Sequence, residues 1–182
     1  IKEKIDSLQD LLDVLPECSG KDYVDIVKDL HIRKEELLPY AFWSDEFYTR
    51  NCLARTDDYE LLLLCWNDKQ ITPVHCHGGQ ECWVYLADGK IEELRYDFDE
   101  KEKGLEVIEK TVMEVGQFSY MNDNMGFHSL ENIGDGKAMS LHLYMNPIDE
   151  CRIFNPETGE DKMREIEYHS KNGKALVDSV YQ

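Results

Sequence analysis

The chain has 182 residues, a formal charge of −18 and a hydrophobic fraction of 42%. That length fits one domain around a single core, and the acidic balance argues against nucleic acid or an anionic membrane surface as a partner. No apolar run is long enough to cross a bilayer, and no export signal opens the chain.

The first third reads as helical. Ile5, Leu8, Leu11, Leu12 and Leu15 repeat at helical spacing before Pro16 and Gly20, and Tyr23, Ile26, Val27 and Leu30 repeat the pattern. Ser44-Asp45-Glu46 reads as a helix entry before a short turn carrying Tyr48 and Arg50. From residue 59 the pattern changes to strands, expected near 59–66, 71–77, 82–87, 90–97, 106–114, 117–121, 127–133 and 138–145. Turn residues separate them, and Asp88-Gly89 between two apolar runs is a strong hairpin signal. The acidic run from Asp97 to Glu102 reads as a solvated turn. Short strands after a helical cap predict a mainly β fold, a cupin-type jelly-roll β-barrel. Residues 1–182 are expected as one cupin domain, with 1–50 mostly helical cap and 59–168 the barrel. The chain opens at Ile1 rather than Met, so a few residues are expected to precede it. The six cysteines show no Cys-x-x-Cys spacing and are expected as reduced thiols in a cytoplasm.

The chemistry concentrates around His75-Cys76-His77. On a strand, a His-x-His places both imidazoles on one face. His128, followed by Asn132, matches the second cupin motif and supplies a third imidazole. Three neutral imidazoles leave a divalent ion with its full charge and open coordination positions. Buried, hydrogen-bonded histidines are the plain alternative, and zinc competes with other metals on chemistry alone. Cys82 stands where the first cupin motif has its Glu, although a bulge at Gly78-Gly79 could turn Glu81 inward instead.

Arg50 carries a planar fork that matches a carboxylate, although a surface arginine in a polar turn is the commoner case. Tyr48 could support a substrate from the same segment. Ser140, His142 and Tyr144 alternate, so on a strand they share one face, either as a hydrogen-bonded relay or as a polar stripe. Leu64 and Trp66 are candidate pocket residues, with a plain core role nearly as well supported.

Taken together, Tyr48-Thr49-Arg50-Asn51, Cys65-Trp66, His75-x-His77-x4-Cys82, Ser140-Leu141-His142-Leu143-Tyr144 and Tyr168-His169-Ser170-Lys171-x-Gly173 resemble the cysteine dioxygenases. The resemblance covers roughly residues 40–173. It implies Fe(II) bound by His75, His77 and His128, and O2-dependent conversion of L-cysteine to cysteine sulfinic acid. It implies Arg50 as the substrate-carboxylate clamp and a thioether bond between Cys82 and Tyr144. A monomer is expected, with no nucleic-acid or membrane partner. The alternatives are a dioxygenase for 3-mercaptopropionate or another small thiol, and a non-catalytic metal-binding cupin. One departure stands out: Met145-Asn146-Pro147 follows the tyrosine where the family typically has Ser-Pro, so the pocket floor is expected to differ.

Overall fold

In the computed structural model, residues 4–99 and 104–182 are described. Residues 100–102 of the acidic run lie outside them. Three short helices open the chain: α1 (Leu8–Val14), α2 (Asp22–Lys28) and α3 (Lys34–Leu37). Ser7 caps α1, its hydroxyl accepting from the Asp10 amide at 3.0 Å. Thirteen strands follow: β1 (Thr49–Arg55), β2 (Tyr59–Trp66), β3 (Val74–His75), β4 (Glu81–Asp88), β5 (Ile91–Asp99), β6 (Gly104–Met113), β7 (Phe118–Met121), β8 (Phe127–Asn132), β9 (Ala138–Met145), β10 (Glu150–Phe154), β11 (Asp161–Glu165), β12 (Ser170–Lys171) and β13 (Lys174–Ala175).

The strands form two sheets, ordered β13-β12-β1-β2-β9-β4-β7 and β11-β10-β3-β8-β5-β6. This is the expected jelly-roll, built as a two-sheet sandwich rather than one closed barrel. The helices cover the outer face of the seven-stranded sheet, where Leu11, Leu15, Ile26 and Leu37 pack with Leu61, Leu63, Leu141 and Leu143. The alternate residues Leu62, Leu64, Val84 and Leu86 face inward and meet Ile91, Met113 and Leu130 of the second sheet. Every residue of β2 is therefore buried, which is why its sequence runs Leu61-Leu62-Leu63-Leu64 without polar alternation.

Two expectations about the chain before residue 59 need correction. Ser44-Asp45-Glu46 starts no helix; the Ser44 hydroxyl accepts from the Glu46 amide at 3.3 Å in an irregular turn. Arg50 sits not in a turn but in β1, whose Thr49, Arg50 and Asn51 are all buried. Partners inside the protein make that burial possible. The Thr49 hydroxyl donates to the Phe42 carbonyl, Asn51 Nδ2 donates to the Leu63 carbonyl at 3.0 Å, and Ser170 donates to Asn51 Oδ1 at 2.7 Å. The sheet also runs beyond residue 168, because β12 pairs in parallel with β1.

The hairpin expected at Asp88-Gly89 does not form: the turn carries the chain from β4 in one sheet to β5 in the other, and the two strands do not pair. Gly89 has φ +83°, and a Cβ there would stand 2.5 Å from that of Ala138. Leu62 lies at the centre of the inner face with no exposed surface. Leu62→Ala is expected to cost about 3 kcal/mol of unfolding free energy, read from the urea midpoint.

Candidate metal centre and active site

The backbone register brings the three histidines together. His75, at the end of β3, lies directly opposite His128 of β8. His77 follows just beyond β3, ahead of Gly78 and Gly79, which both take positive φ. The ligand nitrogens of His75, His77 and His128 all lie within 4.8 Å of one another. The Nε2 atoms of His77 and His128 are 2.9 Å apart. Two nitrogens bound at ~2.1 Å and about a right angle on one ion would be separated by about 3 Å.

Two of the rings are oriented through Nδ1. That of His75 donates to the Pro73 carbonyl at 2.9 Å, and that of His128 meets Glu93 Oε1 at 2.8 Å. Burial holds all three rings neutral: His75 falls from 6.5 to about 4, and His77 and His128 lie well below 6.5. Neutral, pre-aimed imidazoles with inward Nε2 atoms fit a divalent transition metal.

The support reaches outward from His128. Glu93 is 1% exposed, accepts from the Ser119 hydroxyl at 2.5 Å on its other oxygen, and lies 3.5 Å from Arg95. Sequence reasoning missed Glu93. Its signal was the alternation of β5, which puts it on the same face as buried Ile91. Asn132, in contrast, holds a loop: its side chain donates to the Asn67 and Gly136 carbonyls at 3.0 and 2.7 Å.

Beside the imidazoles lies a cavity of about 720 Å³ lined by Tyr48, Arg50, His75, His77, Tyr144 and Cys151, among others. The Arg50 guanidinium lies in the same cavity lining as Tyr144. Its Nε and Nη2 are buried and have no partner, so one edge of the fork is left open. The Arg50 backbone is gripped from both sides by His169: the Arg50 amide donates to His169 Nδ1 at 2.9 Å, and the His169 amide donates to the Arg50 carbonyl at 2.8 Å. His169 also stacks on Phe47 with centroids 4.8 Å apart. Sequence spacing gave His169 no role at the metal; its role here is to place the arginine.

Cys82 is fully buried and stands directly opposite Tyr144 in the β4–β9 ladder, while Glu81 is exposed and turned away. Ser140 and His142 are joined at 2.9 Å, and Trp66 Nε1 donates to Ser140 Oγ at 3.0 Å. His142 and Tyr144 stack with centroids 6.4 Å apart and share no hydrogen bond. Tyr48 lines the cavity and stacks on Trp66 at 4.8 Å. Leu64 and Trp66 do not form the cavity wall. They are 2% and 0% exposed and pack behind it, Trp66 supporting both Tyr48 and Ser140. The six cysteines are free thiols. Among the described residues no helix is long and apolar enough to cross a membrane.

Comparison with known proteins matches residues 4–157 to the family model of cysteine dioxygenase type I. The cysteine dioxygenase type 1 proteins of Rattus norvegicus and Homo sapiens are each 30% identical over 177 residues, covering 92% of this chain and 88% of theirs. That of Danio rerio is 26% identical over 181 residues, covering 94% and 90%. A double-stranded β-helix protein of Klebsiella pneumoniae shares the fold at a TM-score of 0.51 and 13% identity, over 71% of this chain and 95% of that one.

Two expectations follow. Glu93→Gln lowers metal affinity by about 10- to 100-fold, measured by competition with a chromogenic chelator. In metal-free protein, His75, His77, His128 and His142 all titrate below 6.5. Between pH 6.5 and 4 the unfolded chain then holds more protons on these rings, so stability falls as pH falls. Each ring contributes up to about 1.4 kcal/mol per pH unit. Glu60, held above the usual carboxylate range by burial, opposes this as a single group. Urea titrations at a series of pH values read the slope.

Proposed function

The chain belongs to the cysteine dioxygenase type I family, and on that footing we propose that it oxidises L-cysteine with O2 to cysteine sulfinic acid at ferrous iron held by His75, His77 and His128. The observation that carries the substrate assignment is the open edge of Arg50. A buried guanidinium with two unpartnered N–H groups, in one cavity with three metal-type imidazoles, calls for a planar anion. A thiol that also bears a carboxylate satisfies both ends of that cavity.

When bound, ferrous iron supplies a site that stabilises a thiolate and activates O2. The protein's own residues do the rest. Arg50 fixes the carboxylate in two parallel hydrogen bonds, with its backbone held by His169. Tyr144 is held as a neutral phenol, since burial pushes its pKa well above the ordinary value, so it can donate a hydrogen bond into the cavity. Arg50 lines the same cavity and brings that donor close to the carboxylate position. Ser140 orients His142, and His142 packs against the phenol ring. Cys151 and Ile148 shape the wall. Every group comes from one chain, which supports activity as a monomer.

The Cys82–Tyr144 pairing supports a thioether joining Sγ to a ring carbon of the tyrosine. Forming that bond removes one hydrogen from sulfur and one from the ring, and O2 accepts both with their electrons. It would hold the phenol in one place.

L-Cysteine-dependent O2 uptake with sulfinate formation tests the assignment, with cysteamine and 3-mercaptopropionate as comparison thiols. His128→Ala is expected to abolish uptake. Arg50→Gln is expected to lower kcat/KM for L-cysteine by about 100-fold or more, since it leaves the carboxylate without its fork. An unchanged rate in Arg50→Gln would remove the clamp. The intact mass is expected about 2 Da below the sequence mass, a difference that Cys82→Ala abolishes.

A further inference from the structure

Of the six arginines in the chain, four pair with a carboxylate. Arg33 pairs with Glu36, Arg55 with Glu60 and Asp149, Arg95 with Glu93 and Glu109, and Arg152 with Asp161. The other two, Arg50 and Arg164, have no carboxylate within ion-pair distance among the described residues, although the chain carries 38 Asp and Glu. Both of them line the 720 Å³ cavity beside the three imidazoles. The fold has thus kept acids away from two guanidinium groups, and has placed both in one cavity.

The two sit at different depths. Arg50 is buried in β1 with Nε and Nη2 open. Arg164 is exposed on β11, the edge strand of the six-stranded sheet. The β10–β11 ladder sets it directly opposite Cys151, which is buried and lines the same cavity. Directly opposed residues of an antiparallel pair point to one face, so Arg164 is directed to the cavity mouth. Glu46, Glu165 and Glu167 also line the cavity, and none of them forms an ion pair with Arg164. Ile148, Ile153 and Ile166 complete the same wall with apolar surface, which suits methylene groups rather than further charge.

We propose that Arg164 builds a second carboxylate subsite at the cavity mouth, so that the cavity takes dicarboxylates, one end on Arg50 and the other on Arg164, with a methylene spacer against the isoleucines. The inference rests on Arg50 being a carboxylate clamp, as in the functional reading above. L-Cysteine has one carboxylate and engages only the inner arginine. A dicarboxylate of fitting length engages both and competes with L-cysteine for the clamp. A thiol acid bearing a second carboxylate belongs to the same ligand class. The outer contact is solvated, so it adds a modest factor to affinity and weakens with salt.

The test is anaerobic calorimetry on the iron-loaded protein at low ionic strength. The probes are the straight-chain dicarboxylates from succinate to suberate, each compared with the monocarboxylate of equal carbon number. At the best-fitting length the dicarboxylate is expected to bind about fivefold more tightly than its monocarboxylate. Arg164→Gln, a change at an exposed position, is expected to erase that ratio while leaving the monocarboxylate affinity as it was. High salt is expected to shrink the ratio in the wild-type protein. The ratio is insensitive to a general loss of packing, which would weaken both acids together. Absence of a preference at every length, or a preference that survives Arg164→Gln, overturns the proposal. Failure of the functional reading is separately visible: wild-type protein would then consume no O2 with L-cysteine, whatever the calorimetry gives.

Discussion

Most of the inner face of the seven-stranded sheet is shut away from bulk water, so a polar group placed there depends on partners inside the protein. Helices cover one side of the sheet and the second sheet covers the other. A buried imidazole, guanidinium or carboxylate is costly unless paired. The site is largely the pattern of those pairings. His128 leans on Glu93, Ser140 accepts from Trp66, and His169 holds the Arg50 backbone. The groups that remain open, the inward imidazole nitrogens and one edge of Arg50, are the ones a metal and a substrate would satisfy.

The same constraint explains what the sequence did and did not disclose. Strands between residues 59 and 145 were legible because turn residues punctuate short apolar runs, and the three-imidazole constellation was legible from spacing alone. β1 was not, because Thr49-Arg50-Asn51 is locally polar and is buried only through partners at Phe42, Leu63, His169 and Ser170. β10 to β13 escaped for a related reason: they are short, and β10 and β12 are placed by strands far away in the chain, β3 and β1. Ser44 carries a capping hydroxyl, but uses it two residues on in a turn.

Acids inside the protein were the hardest to see. Glu60 and Glu93 occupy inward positions of strands, where a carboxylate ordinarily argues for the solvent side. Each is admitted by a cationic neighbour on the adjoining strand or its own, Arg55 for Glu60 and Arg95 for Glu93. Local composition carries no trace of those arrangements, since the partners are fixed by register. The segment after Tyr144 shows a similar dependence. Asn146 takes φ +73°, its amide donates to the Asp58 carbonyl at 2.9 Å, and Asp149 pairs with Arg55, so β1 and the turn before β2 hold this segment in place.

The grip of His169 on Arg50 spans 119 positions of sequence. A ribosome that has made both sheets' principal strands has still not delivered the ring that seats the guanidinium. The arginine gains its final address only when β12 slides in beside β1. Assembly of the pocket is thus a late event in the life of each molecule, and a growing chain lacks the finished means to hold a free amino acid beside the three imidazoles.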